Sequence, residues 1–136
     1  MAVVITGRYT GDLKMIVRHE LSGTELRTDA PLDNQGDGSS FSPTDLVATS
    51  LGSCIVTVMA IAARNEGIPF ADASFRVEKH MASDPRRIAA LPLVIEMPPG
   101  LTAEQRERLE KVGSHCPVHR SIHPDIDTPL TFHYPD

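Results

Sequence analysis

One uncharged stretch near the middle of the chain constrains the fold more than any other feature. Residues 46–63 contain no charge and no proline, and most of them are aliphatic or small. Ser42, Pro43 and Asp45 precede this stretch in the pattern of a helix N-terminus, a capping box with aspartate as its acid. Residues 42–67 therefore predict one helix of about 25 residues, roughly 37 Å long. Because it is apolar nearly all round, we expect this helix to be buried on every side.

The end of the predicted helix and its surroundings favour a soluble core over a membrane span. Gly67 can adopt the left-handed conformation that ends a helix, and Pro69 cannot continue one. An uncharged stretch of this length reaches only the lower limit for crossing a bilayer. It also contains several serine, threonine and glycine residues, and the rest of the chain is patterned for strands. We therefore expect no membrane partner.

Length, charge and cysteine content narrow the class of protein. The 136 residues suit one domain spanning 1–136, with a single core. A net charge of −5 without a basic stripe argues against nucleic acid as a partner. The first residues lack the basic segment and apolar run of a signal peptide, so we expect a cytoplasmic location. Structural disulfides are rare there, so Cys54 and Cys116 are predicted to be free thiols or a redox pair.

The segments around the long helix predict strands and a second helix. Residues 2–29 alternate between turns and predict three antiparallel strands, followed by a loop over residues 29–42 of the length that often marks function. Residues 73–81 and 86–97 predict two further strands that pair with each other. The remaining elements are a helix at 102–112, a short helical turn after Cys116, and a last strand at 128–134. The predicted order is βββ-α-ββ-α-α-β, an α+β fold.

The second helix carries its own sequence signals. Thr102 and Gln105 form another capping box. Charged residues four apart indicate a solvated face with three ion pairs within the helix: Glu104/Arg108, Arg106/Glu110 and Glu107/Lys111.

Cys116 has the sequence context of a reactive cysteine. Pro117 is the favoured first residue of a helix, which places Cys116 at the N-cap. A thiolate there faces unpaired backbone N–H groups and the positive helix end, which lowers the pKa of a cysteine. His115, His119 and Arg120 would add positive charge. The alternative is a capped turn in which Cys116 only fills space.

Cys54 has the opposite context, because it lies mid-helix in an apolar stretch. By default such a residue is a small hydrophobic side chain with a raised pKa. Its pairing with Cys116 changes this interpretation, since two cysteines alone in a chain are typical of a nucleophile and its resolving partner. In that chemistry a thiolate attacks a peroxide, becomes a sulfenic acid and condenses with the second thiol.

A metal site is the weaker interpretation of the histidines near Cys116. His115, His119 and His123 surround the cysteine, but their spacing matches no standard zinc pattern. A site made of Cys54, Cys116 and His119 has no support in the sequence. We therefore expect no metal and no cofactor.

Two motifs resemble those of a known family. SPTDLVATSLGSC, on the long helix, and CPVHRSI, about sixty residues later, resemble the OsmC/Ohr family, named for osmotically inducible protein C and organic hydroperoxide resistance protein. The order of elements fits as well, so the resemblance covers essentially the whole chain. It implies an intertwined homodimer in which two long central helices pack together inside antiparallel sheets, with active sites at the interface.

The resemblance also implies an activity. Cys54 would be the peroxidatic nucleophile, and Cys116 would resolve it as a disulfide that small or lipoyl-bearing thiols reduce. The substrates would be organic hydroperoxides. A dimer that instead binds an apolar small molecule at its interface, partly through the loop at 29–42, is the alternative. A stress-induced protein with inert cysteines is a third interpretation.

One departure from the family pattern bears on this choice. Peroxidase members carry a glutamate directly after the proline, which orients an arginine beside the nucleophile, whereas Thr44 stands at that position here. Asp45 follows, but it is nine residues before Cys54, on the opposite side of the helix and about 13 Å along its axis. We interpret Asp45 as a capping residue, and the chain as closer to the broad OsmC-like branch. The candidate arginines are Arg8, Arg18 and Arg27.

Overall fold

The protein combines eight strands with three α-helices, which confirms the predicted α+β class and the position of each helix. The computed structural model describes residues 1–136, and the chain divides into two compact units, residues 1–47 and 48–136. The prediction of one domain over 1–136 stays a prediction. The elements are β1 Ile5–Gly11, β2 Lys14–His19, β3 Glu25–Asp29, α1 Pro43–Glu66, β4 Ser74–Val77, β5 His80–Ala82, β6 Arg87–Ala90, β7 Leu93–Glu96, α2 Ala103–Gly113, α3 Pro117–Ser121 and β8 Leu130–His133.

The first unit is built on a sheet of three antiparallel strands in the order β1-β2-β3, as predicted. The loop that follows contains a 3-10 turn at Leu32–Asn34. A buried carboxylate, that of Asp29, holds this loop through hydrogen bonds. Asp29 is 1% exposed and accepts hydrogen bonds from the backbone N–H of Ser39 at 3.0 Å and from its hydroxyl at 2.6 Å. These bonds, with the charge of Lys14 at 3.6 Å, lower the pKa of Asp29.

One face of this sheet is apolar and exposed. Alternate residues of a strand point to the same face, so the apolar positions of the three strands fall together. Gly7 faces Val17, and Val17 faces Leu26 across the sheet. Several large apolar side chains on these strands are exposed: Ile5, Tyr9, Met15 and Leu26.

The structure confirms both predictions for the ends of α1, the capping box at its start and the left-handed glycine at its end. The backbone N–H of Asp45 donates to Ser42 Oγ at 3.1 Å, and the backbone N–H of Ser42 donates to Asp45 Oδ2 at 2.8 Å, which completes the capping box. At the other end Gly67 has a φ of 68°, and the N–H of Ile68 donates to the carbonyl of Ala63 at 2.9 Å. This closes the helix with a Schellman motif.

The prediction that α1 is buried on every side is wrong for the single chain. One side of the helix is buried through six residues: Ala48, Leu51, Gly52, Ile55, Met59 and Ala63. Ser53, Thr57 and Ile61 are exposed, and residues four apart share one face of a helix. By length and composition alone α1 could cross a membrane, a test that the core helix of a soluble protein also passes.

The two strands predicted after α1 are each divided in the structure. β4 pairs with β7 and β5 pairs with β6, both antiparallel, so the predicted pairing is present with an interruption in its middle. Pro92 lies at the interruption and has no N–H to donate to a ladder. Its carbonyl accepts from the N–H of Glu78 at 3.0 Å, while the N–H of Leu91 donates to Asp127 at 2.7 Å.

One strand pairing differs from the antiparallel arrangement implied by the family resemblance. β8 is parallel to β7, with Ile95 opposite Phe132. Parallel neighbours need a long connection between them, and here α2 and α3 supply it.

The charged residues of α2 bind other elements rather than one another. The predicted capping box is present at its first turn. Arg108, however, forms an ion pair with Glu66 at the end of α1 at 2.9 Å, and Arg106 pairs with Asp136 at 3.3 Å. The predicted pairs of Arg108 and Arg106 within the helix are therefore wrong, because partners from distant parts of the chain reach both guanidinium groups.

Candidate functional site

The two cysteines come together within the unit formed by residues 48–136. Cys54 lies in the middle of α1 and Cys116 immediately before α3, and both are free thiols. The two thiols lie near enough for the Cys54 side chain to raise the pKa of Cys116. The sequence separates them by about sixty residues, so the tertiary fold and not the local sequence brings them together.

Cys116 occupies the predicted N-cap of α3. Its backbone is extended, Pro117 is in the first turn, and the N–H of His119 donates to Cys116 Sγ at 3.3 Å. The thiol thus replaces the serine or aspartate oxygen that commonly accepts this hydrogen bond. The side chain is 0% exposed.

The prediction that this position lowers the pKa of Cys116 is wrong. Burial is the largest influence and raises the pKa of the thiol, because the charged form is disfavoured away from water. The nearby Cys54 side chain raises it further, whereas the backbone N–H groups of His119 and Val118 lower it. The side chains expected to add positive charge are exposed: His115, His119 and Arg120. Cys116 therefore stays protonated near neutral pH.

Cys54 is the more accessible thiol of the pair. It is half-buried, whereas Cys116 is fully buried. On α1 it lies between the face that carries buried Leu51 and Ile55 and the face that carries exposed Ser53 and Thr57. A molecule arriving from solvent consequently meets Cys54 before Cys116.

Two glycines let neighbouring elements approach α1 close to Cys54. A Cβ on Gly52 would lie 2.3 Å from a ring atom of Phe75 in β4. A Cβ on Gly113, at the end of α2, would lie 3.1 Å from Met59 Sδ. Neither role was predicted. The signal was the glycine in the interior of α1, since this residue costs about 1 kcal/mol relative to alanine in a helix.

A cavity of about 190 Å³ lies beside the cysteine pair. Its wall is formed by α1, by β7, by β8 with the residues before it, and by the segment that runs from the end of α2 into α3. Cys54 and Cys116 are outside the lining, but residues one to three positions from each of them are part of it. Sequence reasoning missed this cavity because its wall is assembled from four separated segments.

The other predicted residues take structural positions. Thr44 Oγ1 lies 3.2 Å from Ser42 Oγ in the first turn of α1, beside the capping box that Asp45 completes. The candidate arginines are in the unit of residues 1–47. One of them, Arg18, already pairs with Glu20 at 3.1 Å and with Glu25 at 3.8 Å.

The histidines do not gather around a common point. His115 Nδ1 lies 2.9 Å from the carbonyl of Lys111, and His123 Nδ1 accepts from the N–H of Asp125 at 3.0 Å. His119 lines the cavity. No group of three or more His, Cys, Asp or Glu side chains is arranged to hold a metal ion.

Comparison with known proteins gives relatives over the whole chain. A candidate osmotic-stress-induced and detoxification-response protein from Psychrobacter arcticus is 42% identical, with a TM-score of 0.90 over 95% of this chain and 94% of that chain. An organic hydroperoxide resistance protein OsmC from Legionella pneumophila is 18% identical, with a TM-score of 0.77 over 97% and 96%. An OsmC-like protein from Mycoplasma pneumoniae is 16% identical, with a TM-score of 0.81 over 98% and 97%. No curated protein matches the chain.

The family model agrees with these relatives. Residues 36–131 match the model described as OsmC-like protein, which is most of the chain and includes both cysteines. The fold is shared with the solved relatives, with TM-scores of 0.90 and 0.81. Several relatives are named for stress response or for hydroperoxide resistance. On this evidence, the chain belongs to the OsmC-like protein family.

Proposed function

We propose that the protein is a thiol-dependent peroxidase that reduces organic hydroperoxides, with Cys54 as nucleophile and Cys116 as resolving cysteine. The observation that carries the proposal is that a half-buried thiol, Cys54, lies near enough to a fully buried one, Cys116, to raise its pKa. The substrate class is supported by the fold shared with a protein named for organic hydroperoxide resistance. The reducing cytoplasm, the proposed location, would supply thiol reductants.

The first step forms a sulfenic acid at Cys54. The Cys54 thiolate attacks one peroxide oxygen, the O–O bond breaks, and the leaving alkoxide takes a proton to become an alcohol. The sulfur is oxidised and the hydroperoxide is reduced by two electrons. Cys116 suits the supporting role because its raised pKa keeps it protonated, so its S–H can donate a hydrogen bond to the Cys54 thiolate.

The second step forms a disulfide. The Cys116 sulfur attacks the Cys54 sulfur, hydroxide leaves, and the proton of the Cys116 thiol converts it to water. Two equivalents of an external thiol then reduce the disulfide and are themselves oxidised to a disulfide. The two thiols are already neighbours, and the disulfide requires their sulfur atoms to reach the bonded distance of about 2.05 Å.

The proposed assembly is a homodimer. Two surfaces support it: the exposed row of Ser53, Thr57 and Ile61 on α1, and the exposed apolar face of the sheet β1-β2-β3. The face of the sheet is apolar, and contiguous apolar surface is uncommon on monomers and marks sites of association. The row on α1 lies in a stretch without charge, so its burial removes no ion from water. A second copy of the chain would bury both.

Mass spectrometry after a single oxidation tests the function. We expect one equivalent of cumene hydroperoxide to convert the reduced protein to a form with a Cys54–Cys116 disulfide, identified by peptide mapping. The Cys116→Ser variant is the matched control and should show a sulfenic acid at Cys54 instead. Two intact thiols after this treatment would reject the peroxidase.

A second candidate function follows from Thr44. The position carries no carboxylate to orient an arginine, and the Thr44 hydroxyl lies beside Ser42 within the first turn. This favours a dimer that binds an apolar small molecule at its interface without peroxidase chemistry. Native mass spectrometry separates the two functions, because a co-purified ligand on a dimer whose thiols resist cumene hydroperoxide supports only the second.

A further inference from the structure

The cavity beside the cysteine pair has an apolar interior. Leu51 and Ile55 of α1 and Leu93 of β7 are 0%, 3% and 2% exposed, and all three contribute to its wall. Leu130 of β8 completes the apolar part. Its volume of about 190 Å³ lies in the range that holds a small organic molecule, since an apolar cavity of roughly 150 Å³ in another protein binds benzene.

The rim of the cavity is polar. Ser114 and His119 are exposed and Thr128 is half-buried, and all three line the cavity. The Ser114 hydroxyl donates its proton to the carbonyl of Glu110 at 2.7 Å, so its oxygen is left to accept a hydrogen bond. An apolar interior with a few polar groups at one side is the usual composition of a small-molecule site.

We propose that this cavity binds a small apolar molecule carrying one hydroxyl, of the size of a single aromatic ring or a short alkyl chain. The apolar body lies against Leu93 and Leu130, and the hydroxyl faces Ser114, His119 and Thr128. Cys54 and Cys116 are not part of the lining, so a ligand can bind there whether or not the thiols are catalytic. The proposal therefore stands or falls independently of the peroxidase function.

Occupancy of the cavity affects Cys116 through its neighbours in the chain. Ser114 precedes Cys116 by two residues, and His119 donates its N–H to Cys116 Sγ at 3.3 Å. Cys116 is fully buried, so an alkylating reagent reaches it only when α3 opens, and that opening disrupts the cavity wall. A ligand at ten times its Kd then slows alkylation of Cys116 about tenfold, because the open state loses the binding free energy.

Titration of the full-length, reduced protein with phenol tests the proposal by methyl NMR. We expect the methyl signals of Leu93 and Leu130 to shift, while those of Ile61 on the exposed face of α1 do not. The occluding variant Leu130→Phe should weaken binding about tenfold or more. Thr131→Val is the matched control, since Thr131 is exposed on the other face of β8, and it should bind phenol as the wild type does.

Three outcomes would overturn the proposal. The first is no methyl shift up to about 20 mM phenol, a concentration at which even a millimolar Kd would give near saturation. The second is that phenol shifts the Leu93 methyl signals of Leu130→Phe as much as those of the wild type. The third is that only methyl groups on the surface shift. If Leu130→Phe does not fold by circular dichroism, Thr128→Phe, which narrows the rim, replaces it with the same expected loss. The titration in the Cys54→Ser variant should match the wild type, so a failed peroxidase assay leaves this result intact.

Discussion

Cys54→Ser is expected to abolish hydroperoxide reduction, with a fall in kcat/KM of roughly a thousandfold or more. A serine hydroxyl stays protonated near neutral pH and has no adjacent general base in this helix, so it cannot replace a thiolate as nucleophile. Cys116 cannot take over, because it is fully buried and burial raises its pKa. The rate of cumene hydroperoxide loss with a thiol reductant present measures the effect.

The comparison with Cys116→Ser distinguishes the roles of the two thiols. This variant should oxidise Cys54 in a single turnover and then accumulate a sulfenic acid that dimedone traps. Glu107→Ala, at an exposed position of α2, is the control and should keep its activity. The assigned roles are wrong if Cys54→Ser retains turnover, or if dimedone labels Cys116 in the wild type.

Gly52→Ala is expected to destabilise the protein by about 2 kcal/mol, although alanine is the better helix former by about 1 kcal/mol. The added Cβ would lie 2.3 Å from a ring atom of Phe75, well inside contact distance. Either the ring leaves its rotamer or α1 moves away from β4, and both changes cost packing. The free energy of unfolding from urea titration measures the loss.

A double variant identifies the cause of this loss. Gly52→Ala combined with Phe75→Leu should be less destabilised than the sum of the two single variants, because the smaller side chain makes room for the Cβ. Glu107→Ala serves again as the control, since an exposed helical position should gain a few tenths of a kcal/mol from helix propensity. Additive effects, or a stable Gly52→Ala, would show that the contact with Phe75 does not limit the helix.

Local features of this protein could be predicted from its sequence. The capping box of Ser42 and Asp45, the left-handed Gly67 at the end of α1, and Cys116 at the N-cap of α3 all appear as predicted. Each depends on hydrogen bonds and backbone preferences among residues a few positions apart, so the local sequence is enough to predict it. The two cysteine motifs likewise predicted the family, and the match to the family model confirms it.

Features that depend on distant segments required the tertiary structure. The proximity of Cys54 and Cys116, and the cavity near them, arise where segments far apart in the chain come together. The same packing buries Cys116 so fully that the penalty for charge outweighs its N-cap, and the direction of its pKa shift is the reverse of the local prediction. The sequence alone determined that the chain has two thiols, one in the middle of α1 and one at the N-cap of α3. Burial, which no local pattern specifies, decided which of them solvent can reach.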